Sequence, residues 1–434
     1  MRDGTPSTEG THLTRRGLLA VAGASVLGGC SSLDGLASDS ESTIRAYDLP
    51  DVDADSIPEP VVAPSVPVDI HPGYFASTRD RVTSLLAELP TPLGPDDVPN
   101  GHVRQRLTDA AAAATEGLDE ARTARTGLVA LQSLRDAREH ARYAAAGWAV
   151  ADRGLSVDPL QREHGRAVTD ARSVRNDHEY VGTDPVAAAL VHARIEDALE
   201  WVTDNDRPHT HNEGELLTVA EWGETAELAR AYVADARHLD DRLTASLPDD
   251  AGTVEGVLTR AAESLFADIR SRRAALPPEP TAEDWGLVER TVHELRRQVD
   301  DPRQAGDAPG PASAVVDATD RLAKFRAFDR VRERVDAGEI TSAESAEAVR
   351  EARTTAYDAL DTALEESPDS GLARTVVSDA SWRVSHADRE LSRFRGDISH
   401  GRLDSVLEDY IVATAVARAT PAACQQTVDA LETA

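Results

Sequence analysis

Apolar residues in this chain recur at three- and four-residue spacing over most of its length, a period that admits little besides α-helix. Trp285, Val288, Val292, Leu295 and Val299 form one such stripe, and Val254, Leu258, Ala261, Leu265, Ile269 and Leu276 form another. Alternating runs of β-branched residues bounded by turn dipeptides do not occur, so no sheet of any size is expected. The predicted fold is all-α, with about ten helices of roughly 15 to 30 residues packed antiparallel in one or two bundles.

Helix starts are punctuated. In Asp158-Pro159, Asp184-Pro185, Ser367-Pro368 and Thr420-Pro421 an oxygen able to cap precedes a proline, whose missing N–H and fixed φ suit the first helical position. Thr341 with Glu344 predicts a capping box after the stop signal Gly338. The apolar faces lean on alanine, as in Ala110 to Ala114 and Ala144 to Ala146, and only 4% of residues are aromatic. Such faces let helices approach closely but bury less area per residue, so stability has to come from length and many contacts. Arg81-Val82-Thr83 leading to Leu89-Pro90 and Asp96-Asp97 is echoed by Arg242-Leu243-Thr244 leading to Leu247-Pro248 and Asp249-Asp250. An internal duplication into halves 73–248 and 249–434 would leave this trace, and so would convergent low complexity.

The N-terminus carries the sharpest motif. Thr14, Arg15, Arg16, Gly17, Leu18 and Leu19 read as a twin-arginine motif, and the uncharged stretch from Gly17 to Gly29, ending in Leu27, Gly28, Gly29 and then Cys30, is too short to span a bilayer comfortably. Together with a composition of 77 acidic against 46 basic residues, nearly all of the latter arginine, this start resembles the twin-arginine-exported surface lipoproteins of halophilic archaea. The resemblance implies a signal peptide over 1–29, with Arg15 and Arg16 as its address, and Cys30 as the lipid-bearing first mature residue. Gly28 stands where such lipoboxes usually carry Ala, Ser or Thr, and Leu18 where the export motif often has Phe. Residues 30–72 are low in large hydrophobics and carry Pro58, Pro60, Pro64 and Pro67, which predicts a disordered, extended tether lifting the body off the membrane.

The formal net charge is −31, and Lys324 is the only lysine, so nearly all positive charge is arginine. An acidic, lysine-poor surface fits concentrated salt, where a Debye length of about 3 Å screens self-repulsion while carboxylates keep the surface hydrated. Basic residues are interleaved with more numerous acids, so nucleic acid is not an expected partner.

Several chemistries lack their residues. Lys324 is followed by Phe325, which excludes a P-loop, and the only cysteines are Cys30 and Cys424, which leaves thiol pairs, haem attachment and iron–sulfur ligation unsupported. Beyond the N-terminal segment no histidine follows a glutamate by three residues, the spacing a di-iron bundle wants. The one metal-like constellation is His209, His211, Glu213 and Glu215 in a polar interhelix loop, where two histidines one residue apart could meet Zn or Cu; a solvated loop with Asn212 as a cap is the plainer reading. A second candidate is a pocket formed by His140, Tyr143 and Trp148 on one helix with Asp177, His178 and Tyr180 on the next, if the two pack antiparallel; core packing with satisfied polar tips competes with it.

The expected protein is therefore a non-enzymatic, lipid-anchored helical interaction or scaffolding module on the outer face of the cytoplasmic membrane, at the cell surface, with an unidentified surface protein as partner. The alternative is a metal- or small-ligand-binding lipoprotein, or an enzyme, working through the His209/His211 loop.

Overall fold

A computed structural model describes residues 43–53, 56–58, 60–205, 214–279 and 285–434. Twelve α-helices account for nearly all of their regular structure: α1 (Pro72–Leu86), α2 (Gly101–Thr123), α3 (Gly127–Arg153), α4 (Val157–Asp177), α5 (Pro185–Asp204), α6 (Glu215–Ser246), α7 (Glu255–Ala274), α8 (Leu287–Val299), α9 (Pro311–Asp336), α10 (Ala346–Glu366), α11 (Ser370–Arg393) and α12 (His400–Thr433). The fold is all-α, as the apolar period predicts. The exception is a three-residue antiparallel pair, β1 (Thr43–Arg45) with β2 (Asp397–Ser399), in which Ile44 faces Ile398.

Local signals decide some helix ends and not others. The Asp184 carboxylate accepts the amides of Val186 and Ala187 at the start of α5, as its Asp-Pro pair predicts. Gly338 adopts φ 71° just past α9. Elsewhere the cap lies beside the expected place. α4 starts after Ser156, Asp369 rather than Ser367 caps α11, and Ser345 rather than Thr341 caps α10. Pro421 lies inside α12, not at a helix start. Proline costs an interior helix about 3 kcal/mol. Here Ala417, Ala419, Thr420, Ala423 and Cys424 around it are all buried, and their packing holds the helix straight through. Trp285 falls before α8 with its ring edge against His293, and Leu276 lies beyond α7, so both stripes are shorter than predicted.

The described residues form one compact unit built from two sets of six helices. In the first set α3 packs on α1, α2 and α6, while α6 also packs on α4 and α5, and α4 packs on α5. Advancing every label by six gives the second set: α9 packs on α7, α8 and α12, while α12 packs on α10 and α11, and α10 packs on α11. The long central helices match as well, 27 and 32 residues for α3 and α6 against 26 and 34 for α9 and α12. The chain is thus a repeat of one six-helix topology. The echo from Arg81 and Arg242 does not mark it: it sets α1 against the end of α6, which are not equivalent positions.

Small residues bring the central helices together. A Cβ added at Gly223 of α6 would lie 2.5 Å from the Ala146 Cβ of α3. Only glycine there permits this approach of the two backbones.

The halves meet where α5 packs on α9. Glu196 of α5 accepts the amides of Ala312 and Ser313 at 3.1 and 2.6 Å, so a carboxylate of one half caps a helix of the other. The equivalent place on α11 is filled differently. Glu196 stands twelve residues beyond the cap Asp184, and Ser381 stands twelve beyond Asp369. Ser381 Oγ accepts the amide of Val62, Ser385 donates to the Pro58 carbonyl, and Arg374 donates to that of Ala63. Arg125 also donates to the carbonyls of Pro60 and Val61 in this segment, and Thr126 to that of Pro64.

The expected tether over 30–72 is therefore not free from Thr43 onward. Its prolines hold it extended, but its open carbonyls find arginine and hydroxyl donors, and Leu49, Val62, Ala63 and Ile70 are buried on the helices.

Candidate functional site

Arg15, Arg16, Cys30, His209, His211 and Glu213 lie outside the described residues. Glu215, the last member of the metal constellation, is the exposed first residue of α6, where its charge suits the helix N-terminus. Among the described residues no group of three or more His, Cys, Asp and Glu is arranged to hold a metal ion.

The second candidate comes apart. α4 packs mainly on α5 and α6 and meets α3 only at its side chains, as in Arg142 with Glu163, and the proposed lining residues fall into different clusters. Tyr143 is buried with Leu107 and Leu217, Trp148 packs on the same cluster, and the Tyr143 hydroxyl accepts from Arg106 at 3.4 Å. His140 lies on the same helix, beside Asp136 and Glu139. His178 lies elsewhere, where the connection between α4 and α5 meets the connection between α6 and α7 through the bridge of Val181 to Thr253.

At that seam His178 joins Tyr180, His192 and Asp240. His192 is fully buried, and burial pushes its pKa down to about 4, so the ring is neutral. Its Nε2 lies 3.0 Å from the Val181 carbonyl, which can only accept, so Nε2 carries the proton. Nδ1 then has to accept, and the His178 Nε2 at 3.0 Å donates to it. The other His178 nitrogen faces Asp240 Oδ1 at 3.4 Å. A second chain leaves the seam through Tyr180, whose hydroxyl bonds Glu196, the residue that caps α9. The cluster links the connections at the junction of the two halves and fixes the tautomer of His192.

The strongest ionisable constellation on α3 and α6 carries no sequence motif. Burial, together with its hydrogen bond to Glu224, pushes Glu139 up to about 8; burial also raises Glu224. The two carboxyls hold a shared proton at neutral pH. One turn further along α6 the opposite holds. Glu227 is buried, which disfavours its charge, but Arg81 at 2.7 Å, Arg138 at 2.8 Å and Arg230 outweigh burial and bring it down to about 2. In the second half Asp388, fully buried, accepts both arms of Arg353 and the hydroxyls of Tyr357 and Tyr410. Cys424 is a core residue whose thiol burial pushes up to about 12. Lys324 is held by Asp320 and Asp379 at 2.7 and 3.1 Å on the flank of α9.

These groups were missed because their partners lie far apart in sequence. Arg81 and Glu227 are separated by 146 residues, Arg138 and Glu227 by 89. The one available signal was the charge itself, a glutamate or aspartate standing on a face that the apolar period marks as buried.

Residues 74–250 match a family model described as a domain of unknown function (DUF8262), and residues 255–429 match a second, also described as a domain of unknown function (DUF8264). Each match takes in one set of six helices. No curated protein and no solved structure matches the chain.

Proposed function

We propose that this chain is a lipid-anchored helical interaction or scaffolding protein, exported through Arg15 and Arg16 and held by Cys30 on the outer face of the cytoplasmic membrane of a salt-adapted cell. The observation that carries the reading is the N-terminal signature itself, a twin arginine followed by a short uncharged run ending at a cysteine. The body supports it in a second way. Its buried charges, among them Glu227, Asp388 and Glu196, are engaged with arginines, hydroxyls and backbone amides of the protein, as suits a rigid platform.

The test compares cells expressing a tagged wild-type chain, Cys30→Ser and Arg15→Lys/Arg16→Lys, with all steps kept in molar salt. The wild type should sediment with membranes and be cut by protease added to intact cells. Cys30→Ser should leave the membrane for the medium, and the arginine double variant should stay inside. A wild-type chain protected inside the cell overturns the export reading. Capture from membranes then addresses the role: a stoichiometric protein partner supports the scaffold, whereas a solitary chain carrying Zn or Cu that is lost in His209→Ala/His211→Ala supports the metal-binding alternative.

A further inference from the structure

Each half carries a groove. In the first a groove of about 550 Å³ opens between α4 and α6, with Arg138 of α3, and in the second a groove of about 460 Å³ opens between α10, α12 and the segment that joins α9 to α10. Both use helix faces at i, i+3, i+4 and i+7 spacing. Glu163, Arg166, Ala167 and Asp170 of α4 take the spacing that Ala348, Glu351, Ala352 and Thr355 take on α10. On α6 and α12 the spacing of Arg230, Val233, Ala234 and Arg237 is repeated by Leu407, Tyr410, Ile411 and Thr414.

Their chemistry differs. The second groove has Glu351, Leu407 and Thr414 on its helical walls, whereas the first has Arg166, Arg230 and Arg237, and Arg138 of α3 also lines it. Glu227 holds Arg138 and Arg230, and Glu163 lies 3.3 Å from Arg142 and 4.0 Å from Arg230. That leaves Arg166 and Arg237, one on each wall, with no ion pair or hydrogen bond among the described residues, and Asp170 as the remaining acid of the groove. The floor between them is apolar, made by Ala167 and Val233. In a chain with 77 acidic against 46 basic residues, two unpaired guanidinium groups across a concave, apolar-floored groove form a local reversal of charge.

We infer that the α4–α6 groove is a binding site for a small polyanion bearing phosphate or carboxylate groups, clamped between Arg166 and Arg237. Guanidinium groups bind such oxyanions through paired N–H donors. In molar salt long-range attraction is screened, and chloride, a single charge without that geometry, competes poorly with an anion that engages both walls at once. The arginine pair held by Glu227 stiffens the base of the site. The inference does not depend on how the chain is exported or anchored.

The probes are inorganic pyrophosphate and citrate, titrated into the purified full chain in molar potassium chloride and followed by calorimetry and by thermal unfolding. Saturable binding of at least one, weakened tenfold or more in Arg166→Gln/Arg237→Gln and within twofold of wild type in Arg172→Gln, is the expected result. Preference for pyrophosphate identifies a phosphate ligand, and preference for citrate a carboxylate. Ala234→Trp fills the groove while keeping every arginine, and should abolish binding without the charge change. A wild-type chain that binds neither probe, or binding that survives both the double variant and Ala234→Trp, overturns the site. Circular dichroism establishes that each variant is folded before it is titrated.

Discussion

The Ser313 amide donates to the Glu196 carboxylate at 2.6 Å across 117 residues of sequence, and this bond closes the N-terminus of α9 with a side chain from the other half of the molecule. The Ser313 hydroxyl donates to the same carboxylate. Gly310 passes directly over it: a Cβ there would collide with Glu196 Oε1 and crowd the Tyr180 hydroxyl. The junction between the halves thus depends on a charged cap and on the lack of a side chain beside it.

Glu196→Gln keeps the shape but removes the charge and offers an amide donor where an acceptor is needed. It should destabilise the fold by about 1–3 kcal/mol, with Gly310→Ala costing a similar amount through the collision. Urea unfolding in molar salt measures both. Wild-type midpoints in both variants would show that the cap does not couple the halves.

Glu227→Gln should be far more damaging, by about 3–5 kcal/mol, because it leaves Arg81 and Arg138 without their shared counter-charge inside the bundle. The wild-type carboxyl is brought down to about 2, so its stabilisation is complete above the ordinary carboxylate range and is lost as pH falls from about 4.5 towards 2. The gap in unfolding free energy between variant and wild type should therefore narrow on acidification over that window.

Glu139→Gln should behave in the opposite sense. Its carboxyl is raised to about 8, so the folded state prefers the proton, and stability is lost as pH rises from about 4.5 to 8. Glutamine carries a donor without the charge. The variant should match wild type at pH 4 and exceed it by about 1–3 kcal/mol at pH 8, read from thermal unfolding at the two values. A variant that is less stable at both would place the shared proton elsewhere.

Asp388→Asn should cost about 3–5 kcal/mol, since Arg353 and two tyrosine hydroxyls converge on one buried carboxylate. Tyr357→Phe removes a single member of this set and should cost about 1 kcal/mol. Comparing the two by urea unfolding separates loss of the charge from loss of one hydrogen bond; equal effects would mean the charge contributes little.

Helix was legible wherever the apolar period was long, and capping was legible only where one residue could serve. Asp184-Pro185 offered a single choice and the structure uses it. Around Ser367-Pro368, Asp369 competes as a cap, and α11 starts with the later oxygen because Leu372 and Ala373 have to face the core. The pocket assembled from His140, Tyr143, Trp148 and His178 failed for a different reason. Succession of helices in sequence was read as adjacency, whereas the short turn at Gly154 sends α4 onto α6 and α5. The extended segment before α1 was misread because composition reports that proline blocks regular structure, not whether donors such as Arg125 and Arg374 lie within reach.

The sequence alone determined that the chain is helical, that its faces are small enough for close packing, and that its surface is strongly acidic, because these are properties of each residue and of its nearest neighbours. Tertiary structure decided that the chain repeats one six-helix topology, that Glu196 caps a helix of the opposite half, and that Arg166 and Arg237 line one groove from different helices. An apolar stripe records that a face is buried but not what covers it. A buried charge takes its chemistry from partners that only the folded chain brings within 3 Å of it.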